Sequence, residues 1–147
     1  MKTNLLIFAL VVSGFAFSSC DKDDDKVISK SDLPETAQAF LNTYFAGITE
    51  TRVEKDNDNY DVYLSNGMEV EFDLNGNWND IDGNRNPLPA TILDQLPVTI
   101  SEYLTLNHEN ASVFSIDKEP YGYEVDMSNG WDVKFNFEGK FLSQTID

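Results

Sequence analysis

A single cysteine and a single histidine in 147 residues exclude a disulfide framework, a Cys/His zinc cluster and any Cys–His nucleophile pair that would not consume the only cysteine. Basic residues are scarce as well, 10 Lys+Arg against 26 Asp+Glu for a formal net charge of -16. A surface that tracks phosphates needs the opposite sign, so nucleic acid is excluded as a partner. No Gly-x-Ser-x-Gly, His-Glu-x-x-His, P-loop or Gly-x-Gly-x-x-Gly pattern occurs, so the chain reads as a non-enzyme that carries no cofactor. What is present suffices for a packed core: 41% hydrophobic and 12% aromatic residues, in a length that fits one compact domain or two very small ones.

The longest apolar run is Leu5 to Val12, after Met1-Lys2 and before Ser13-Gly14-Phe15-Ala16-Phe17-Ser18-Ser19-Cys20. A cationic start, an apolar stretch too short for a stable span and small residues before a cut describe an export signal over residues 1–19. Phe17-Ser18-Ser19-Cys20 resembles a bacterial lipobox, which implies cleavage before Cys20 and lipidation of its thiol. Each buried methylene is worth about 0.8 kcal/mol, so two or three acyl chains would hold an acidic protein on a membrane. Asp21-Lys22-Asp23-Asp24-Asp25-Lys26 buries nothing and reads as a disordered acidic tether within residues 20–30. An acidic stretch at this place also resembles the surface-export signal of Bacteroidetes lipoproteins. The expected location is therefore the outer membrane, on the cell surface or the periplasmic side.

The remainder contains an internal repeat. At an offset of 63, residues 33–78 align with 96–141 without a gap and with thirteen identities in forty-six positions. Leu33-Pro34 falls on Leu96-Pro97, Ser65-Asn66-Gly67 on Ser128-Asn129-Gly130, and Gly76 on Gly139. Identities at turn glycines and apolar positions are those that geometry demands of a duplicated unit. Repeat one covers about 31–85 and repeat two about 89–147.

Each copy reads as a helix followed by a four-stranded antiparallel meander, an α+β fold. Leu33, Ala37, Phe40, Leu41 and Tyr44 share a helical stripe, with Asp32 and Glu35 as a capping box and Gly47 as its end. The second stripe is Leu96, Ile100, Tyr103 and Leu104, with Asp94 as a cap, Pro97 in the first turn and Ala90 to Leu93 as a separate short turn or helix; a single helix kinked at Pro97 is the alternative. His108 follows it, where a partly exposed imidazolium complements the helix dipole. Strands are expected around 48–55, 60–64, 68–74 and 77–81, and around 112–118 and 140–146 with a hairpin between. Tyr60, Val62 and Leu64 alternate with Asp61 and Tyr63, and Met68, Val70 and Phe72 with Glu69, Glu71 and Asp73, so one face is apolar and the other acidic. Only a three-residue loop Ser65-Asn66-Gly67 opposes Leu64 to Met68, Val62 to Val70 and Tyr60 to Phe72 without mixing the faces.

The turn at Asn75-Gly76 leaves a choice open. A two-residue turn puts Trp78 on the acidic face beside Tyr63, with Phe141 likewise in copy two, whereas a three-residue loop buries both. The carboxylates read as a solvated strand face, because copy two carries Lys134 and Asn136 where copy one has Glu71 and Asp73. Asp73-x-Asn75-x-Asn77 and Asp80-x-Asp82-x-Asn84 space oxygen ligands as calcium loops do, but the sixth position is Trp78 or Arg85 instead of glycine, and turn chemistry accounts for the same residues with no metal.

A lipobox followed by two copies of a Leu-Pro helix, a Tyr-x-Val-x-(Leu/Met)-Ser-Asn-Gly-x-x-Val-x-Phe hairpin and a glycine turn is similar to the PepSY-like lipoproteins of Bacteroidetes, related in fold to β-lactamase inhibitor protein. The resemblance covers residues 31–147 and implies two tandem units whose sheets form one curved surface with helices behind. Its motifs are structural and bring no catalytic residue. The functional reading is a lipid-anchored, non-catalytic module that binds a protein through its acidic, aromatic sheet face, with Tyr63, Glu69, Glu71, Asp73, Trp78, Asp126, Asp132 and Phe141 as contact residues and Cys20 as the anchor. The alternatives are an inhibitor or regulator of a secreted enzyme and a purely structural envelope protein.

Overall fold

The computed structural model describes residues 25–146. Cys20, the export signal and the first part of the tether lie outside them. Nine antiparallel strands form one sheet in which each strand pairs with the next in sequence. They are β1 (Lys26–Val27), β2 (Glu50–Lys55), β3 (Asn59–Leu64), β4 (Glu69–Asp73), β5 (Trp78–Asp82), β6 (Val113–Glu119), β7 (Gly122–Met127), β8 (Trp131–Asn136) and β9 (Phe141–Ile146). Helix α1 (Glu35–Tyr44) connects β1 to β2, and α2 (Ala90–Leu93) with α3 (Val98–Asn107) connects β5 to β6. The fold is α+β.

Alternation in the strands makes one side of the sheet apolar, and the helices cover that side. Val62, Val70, Phe72, Val125, Val133 and Phe135 are fully buried together with Ala37, Ile92 and Ile100 of the helices. Each aliphatic or aromatic side chain so placed contributes about 1.5–3 kcal/mol. Phe40 of α1 stands edge-on to Phe72 at 5.7 Å and 81°, and Tyr103 of α3, 63 residues on, stands edge-on to Phe135 at 5.4 Å and 82°. The two hairpins also match. Leu64 N–H donates to the Met68 carbonyl at 2.9 Å with Gly67 at φ +86°, and Val62 opposes Val70 as Val125 opposes Val133. The three-residue loop is the one that keeps both faces clean.

The sequence misplaces several helix ends. Pro34 and Pro97 stand immediately before α1 and α3 with no side-chain cap. Asp32 instead closes a 3-10 turn at Lys30–Asp32, its carboxylate accepting from Ser29 N–H at 3.0 Å. Asp94 ends α2 rather than starting α3. Helix α1 stops at Tyr44, where Phe45 N–H bonds the Leu41 carbonyl, and Gly47 lies beyond it in the left-handed region. The tether also ends sooner than expected. Lys26 and Val27 pair with Lys55 and Glu54, and Ile28 N–H donates to the Val53 carbonyl at 2.9 Å, so the chain is strand-paired from Lys26 onward.

Two identities that look independent in sequence are contact partners in space. A Cβ on Gly76 would lie 2.8 Å from Pro34 Cβ and 2.9 Å from the Ala37 nitrogen, and one on Gly139 would lie 2.8 Å from Pro97 Cβ and 2.1 Å from Thr99 Oγ1. The glycine turn thus lets the start of each helix press onto the sheet. Both glycines also hold positive φ, +85° and +80°. Gly67 has a similar φ of +86° but nothing within 4 Å of its absent Cβ. Gly76→Ala should therefore cost the clash as well as the backbone strain of about 1–3 kcal/mol, and Gly67→Ala the strain alone. Urea unfolding of the two variants checks this, and equal losses would show that the helix contact does not matter.

Candidate functional site

The uncovered side of the sheet carries two rows of opposed side chains. In the first, register places Glu54 against Asp61, Asp61 against Glu71, Glu71 against Asp80, Asp80 against Asp117, Asp117 against Glu124, and Glu124 against Lys134. In the second, Arg52 faces Tyr63, then come Glu69, Asp82, Ser115, Asp126, Asp132 and Thr145. Strands are about 4.8 Å apart, so either row runs roughly 30 Å across the sheet. The first row has no cation between Glu54 and Lys134, and the cations at its ends are engaged. Arg52 pairs with Glu54, and Lys134 Nζ lies 2.9 Å from Glu124 Oε2.

Such crowding holds protons on the face at ordinary pH. Burial first, then the Asp117 charge, pushes the Asp80 carboxyl up to about 8. Burial also raises Asp117 to about 6, even though its hydrogen bond with Asp80 favours its charged form. Asp80 and Asp117 thus share a proton as a hydrogen-bonded carboxyl–carboxylate pair, and Asp80 Oδ1 is buried with no partner among the described residues. Asp61 rises to about 6 through burial and the charges of Glu71 and Glu69. Burial and the neighbouring carboxylates push the Tyr63 hydroxyl up to about 12, and it hydrogen-bonds Glu54 and Glu69.

Of the residues that the sequence singles out, Tyr63, Glu69, Glu71, Asp126 and Asp132 share this face. Asp73 sits at its rim and is spent on its own turn, accepting from Asn75 N–H and Asn77 N–H at 2.9 Å each and from Asn77 Nδ2 at 3.0 Å. Trp78 is corrected to the opposite side. It faces Phe72 after a bulge that lets Glu71 oppose Asp80, and only 7% of it is exposed. Phe141 likewise faces Phe135 and stacks on Tyr103 at 4.7 Å. His108 is corrected too. It is buried, Nε2 bonding Gln144 Oε1 at 3.2 Å and Nδ1 taking Asn129 Nδ2 at 3.4 Å, so it is not an exposed partner of the helix dipole.

The sequence missed Asp80, Asp82, Asp117 and Glu124 as neighbours, and Tyr121, whose hydroxyl donates to Glu124 at 2.6 Å. The period-two pattern marks their face, but only the pairing of β5 with β6 joins them into a row. A depression of about 420 Å³ on the second row is lined by Asp82, Arg85, Phe114, Ser115, Asp126 and Asp132. Carboxylate oxygens of Glu124, Asp126 and Asp132 lie within 4.8 Å of one another, although Glu124 is already bonded to Lys134 and Tyr121. The calcium-like spacing at Asp73 is a turn. Asn136 accepts from Glu138 N–H at 3.0 Å and Lys140 N–H at 2.8 Å in the same geometry with no carboxylate. Asp82 accepts from Asn84 N–H in the same way, while Asp80 turns across the sheet instead.

Raised carboxyl groups set the sign of the pH dependence. Between about pH 4 and 8 the folded face holds protons that the unfolded chain has released, so stability falls as pH rises through that window. Asp73 and Glu124 pull the other way at lower pH, because hydrogen bonds hold both below their usual range despite partial burial. The melting temperature should be highest at about pH 4 and fall from there to pH 8. Asp80→Asn should raise it at pH 8 by about 4 °C, the shift that ~1 kcal/mol makes in a domain of this size, and flatten the profile. Thermal melts from pH 4 to 9 test this, and identical profiles for the two proteins would refute it.

Comparison with known proteins places this architecture. The model of the family described as "Putative beta-lactamase-inhibitor-like, PepSY-like" matches residues 58–143. Among solved structures, a "putative periplasmic protein" from Bacteroides vulgatus has 31% identity and a TM-score of 0.77, covering 84% of this chain and 98% of its own. A "putative calcium-regulated periplasmic protein" from Bacteroides thetaiotaomicron gives the same four values, 31%, 0.77, 84% and 98%. A further "putative periplasmic protein of unknown function" from Bacteroides vulgatus has 29% identity and a TM-score of 0.76, covering 82% and 98%. A search of curated proteins finds no match. With a Leu-Pro helix start, a Ser-Asn-Gly hairpin and a glycine turn recurring along one antiparallel sheet, the chain belongs to the PepSY-like family.

Proposed function

We propose that this protein is a duplicated, non-catalytic binding module, held by lipid at Cys20 on the outer membrane, which takes a basic region of another protein on its carboxylate face. The observation that carries the reading is the unbroken row from Glu54 to Glu124, six carboxyl-bearing residues on six adjacent strands. A stable fold gains nothing from that repulsion, and a cationic partner would relieve it. Tyr63 in the second row and Tyr121 beside Glu124 supply rigid aromatic contact on the same face, the kind of residue that dominates protein interfaces. The 63-residue spacing of α1 from α3 and of β2 to β5 from β6 to β9 supports duplication. Periplasmic neighbours and the apolar N-terminal run with Cys20 support an envelope location, and among the described residues no helix is long and apolar enough to cross a membrane.

A regulator of a secreted enzyme is the same reading with the partner specified, and the family's description as inhibitor-like favours it. Calcium regulation, stated of one neighbour, would act on the same carboxylates. It predicts a calcium-dependent rise in melting temperature that Asp126→Asn with Asp132→Asn abolishes.

A photoreactive phenylalanine analogue at Tyr63 should crosslink a basic envelope protein in cells, whereas one at Leu106, which is 82% exposed on α3, should not. Combined Glu69→Gln, Glu71→Gln, Asp126→Asn and Asp132→Asn should lower that yield about tenfold, equivalent to ~1.4 kcal/mol. Equal crosslinking from both positions would discard the face as the site. For the anchor, Cys20→Ser should move the chain from the membrane fraction to the soluble one and abolish palmitate incorporation. Unchanged fractionation would discard lipidation.

A further inference from the structure

The two ends of the sheet differ in kind. At one, β1 is two residues long and carries Lys26. At the other, β9 offers six residues, Phe-Leu-Ser-Gln-Thr-Ile, with no proline and no charge. Folded proteins guard long sheet edges with charge, proline or a covering element, because the unpaired backbone N–H and C=O groups are a template for another strand. Among the described residues nothing pairs with the outer edge of β9. Phe141 is 37% exposed, Leu142 48% and Ile146 64%.

The chain itself shows what such an edge accepts. Sixty-three residues before β9 lies β5, and its outer edge is filled by β6, with Asp80 against Asp117, Ile81 against Ile116 and Asp82 against Ser115. Beyond that ladder, Lys118 lies over the Trp78 ring, Nζ 3.6 Å from its centre and donating to the Trp78 carbonyl at 2.8 Å, and Tyr123 stacks beside it at 6.4 Å. Trp78 is thereby covered. Phe141, the residue 63 places on, has Tyr103 on one side and lacks the strand that would supply the cation. On the outer side, Ser143 and Thr145 stand where β5 has Asp80 and Asp82, so an incoming strand meets hydroxyls and no carboxylate on β9, with Asp132 of β8 next to Thr145.

The geometry points to β9 as a docking edge that takes an extended segment of a partner protein as a tenth, antiparallel strand, with an apolar side chain near Ile146 and a Lys or Arg over Phe141. The backbone ladder gives affinity, and the alternate side chains give selectivity. The cation over an aromatic ring repeats the arrangement of Lys118 and Trp78, and the net charge of -16 favours a basic partner over a second copy of the chain. This edge is separate from the carboxylate face, and the inference does not depend on binding there.

The probe is a capped peptide patterned on β6, Val-Phe-Ser-Ile-Thr-Lys-Thr, added to the full chain and read by amide hydrogen exchange. Exchange of the outward-pointing amides among residues 141–146 should slow at least tenfold while β1 is unaffected. A peptide N-methylated at alternate residues on the pairing side should give no protection. Phe141→Ala should weaken the peptide about fivefold and leave the exchange rates of the β3 and β4 amides unmoved. Protection that survives N-methylation, or that falls on Glu69–Asp73 and spares β9, would overturn the inference. So would slow exchange of the outward-pointing β9 amides before any peptide is added, with or without a dimer in sedimentation, because the edge would then already be covered by this chain or its copy.

Discussion

The pairing of β5 with β6 is the constraint on which the rest hangs. Three residue pairs turn two helix-backed sheets into one: Asp80 with Asp117, Ile81 with Ile116 and Asp82 with Ser115. Beneath the ladder the two isoleucines are fully buried and contribute the apolar burial that holds the halves together. Above it the same register forces two aspartates together in a partly dry setting, where both cannot be charged without cost. The protein resolves this with a proton shared by the pair. At the far end of the seam it uses a cation instead, with Lys118 reaching from one half over Trp78 of the other. Hydrophobic contact, a shared proton and a cation on an aromatic ring thus lie along one line, and the continuity of both carboxylate rows follows from it.

How much of this was legible in the sequence depends on the range over which each feature is decided. The Ser65-Asn66-Gly67 hairpin was legible because its register follows from the period of Tyr60, Val62 and Leu64 against Met68, Val70 and Phe72, with a glycine able to hold positive φ. The repeat was legible because each copy must keep its turn glycine against its helix proline. The side taken by Trp78 was not, because a bulge between Glu71 and Phe72 shifts the register by one residue, and a bulge leaves no mark in alternation. Asp32 misled because a cap is recognised by spacing alone, and a 3-10 turn capped three residues earlier, at Ser29, satisfies that spacing equally well. His108 misled for another reason. Its burial is decided by Asn129 and Gln144, which reach it from other elements. For the site, the face was legible strand by strand, whereas the row was not, since its central contact, Asp80 with Asp117, joins residues from different copies.

The two sides of the sheet are bound by opposite rules. On the helix side, side chains interlock with immediate neighbours, Phe40 with Phe72 and Tyr44, Tyr103 with Phe135 and Phe141, and the glycine turns allow close approach. On the other side, charges act over several strands at once, so the state of any carboxyl group depends on its neighbours in both rows. Substitutions on the first side are felt locally, while those on the second redistribute protons along the face.

Because every strand is hydrogen-bonded to the one that precedes it in the chain, the sheet has no step that waits for a distant segment. Loop closure stays inexpensive at each addition except between β1 and β2, where α1 intervenes, and between β5 and β6, where α2 and α3 do. A chain that emerges N-terminus first could therefore consolidate strand by strand, each new hairpin adding to a finished template, with β9 the last to arrive.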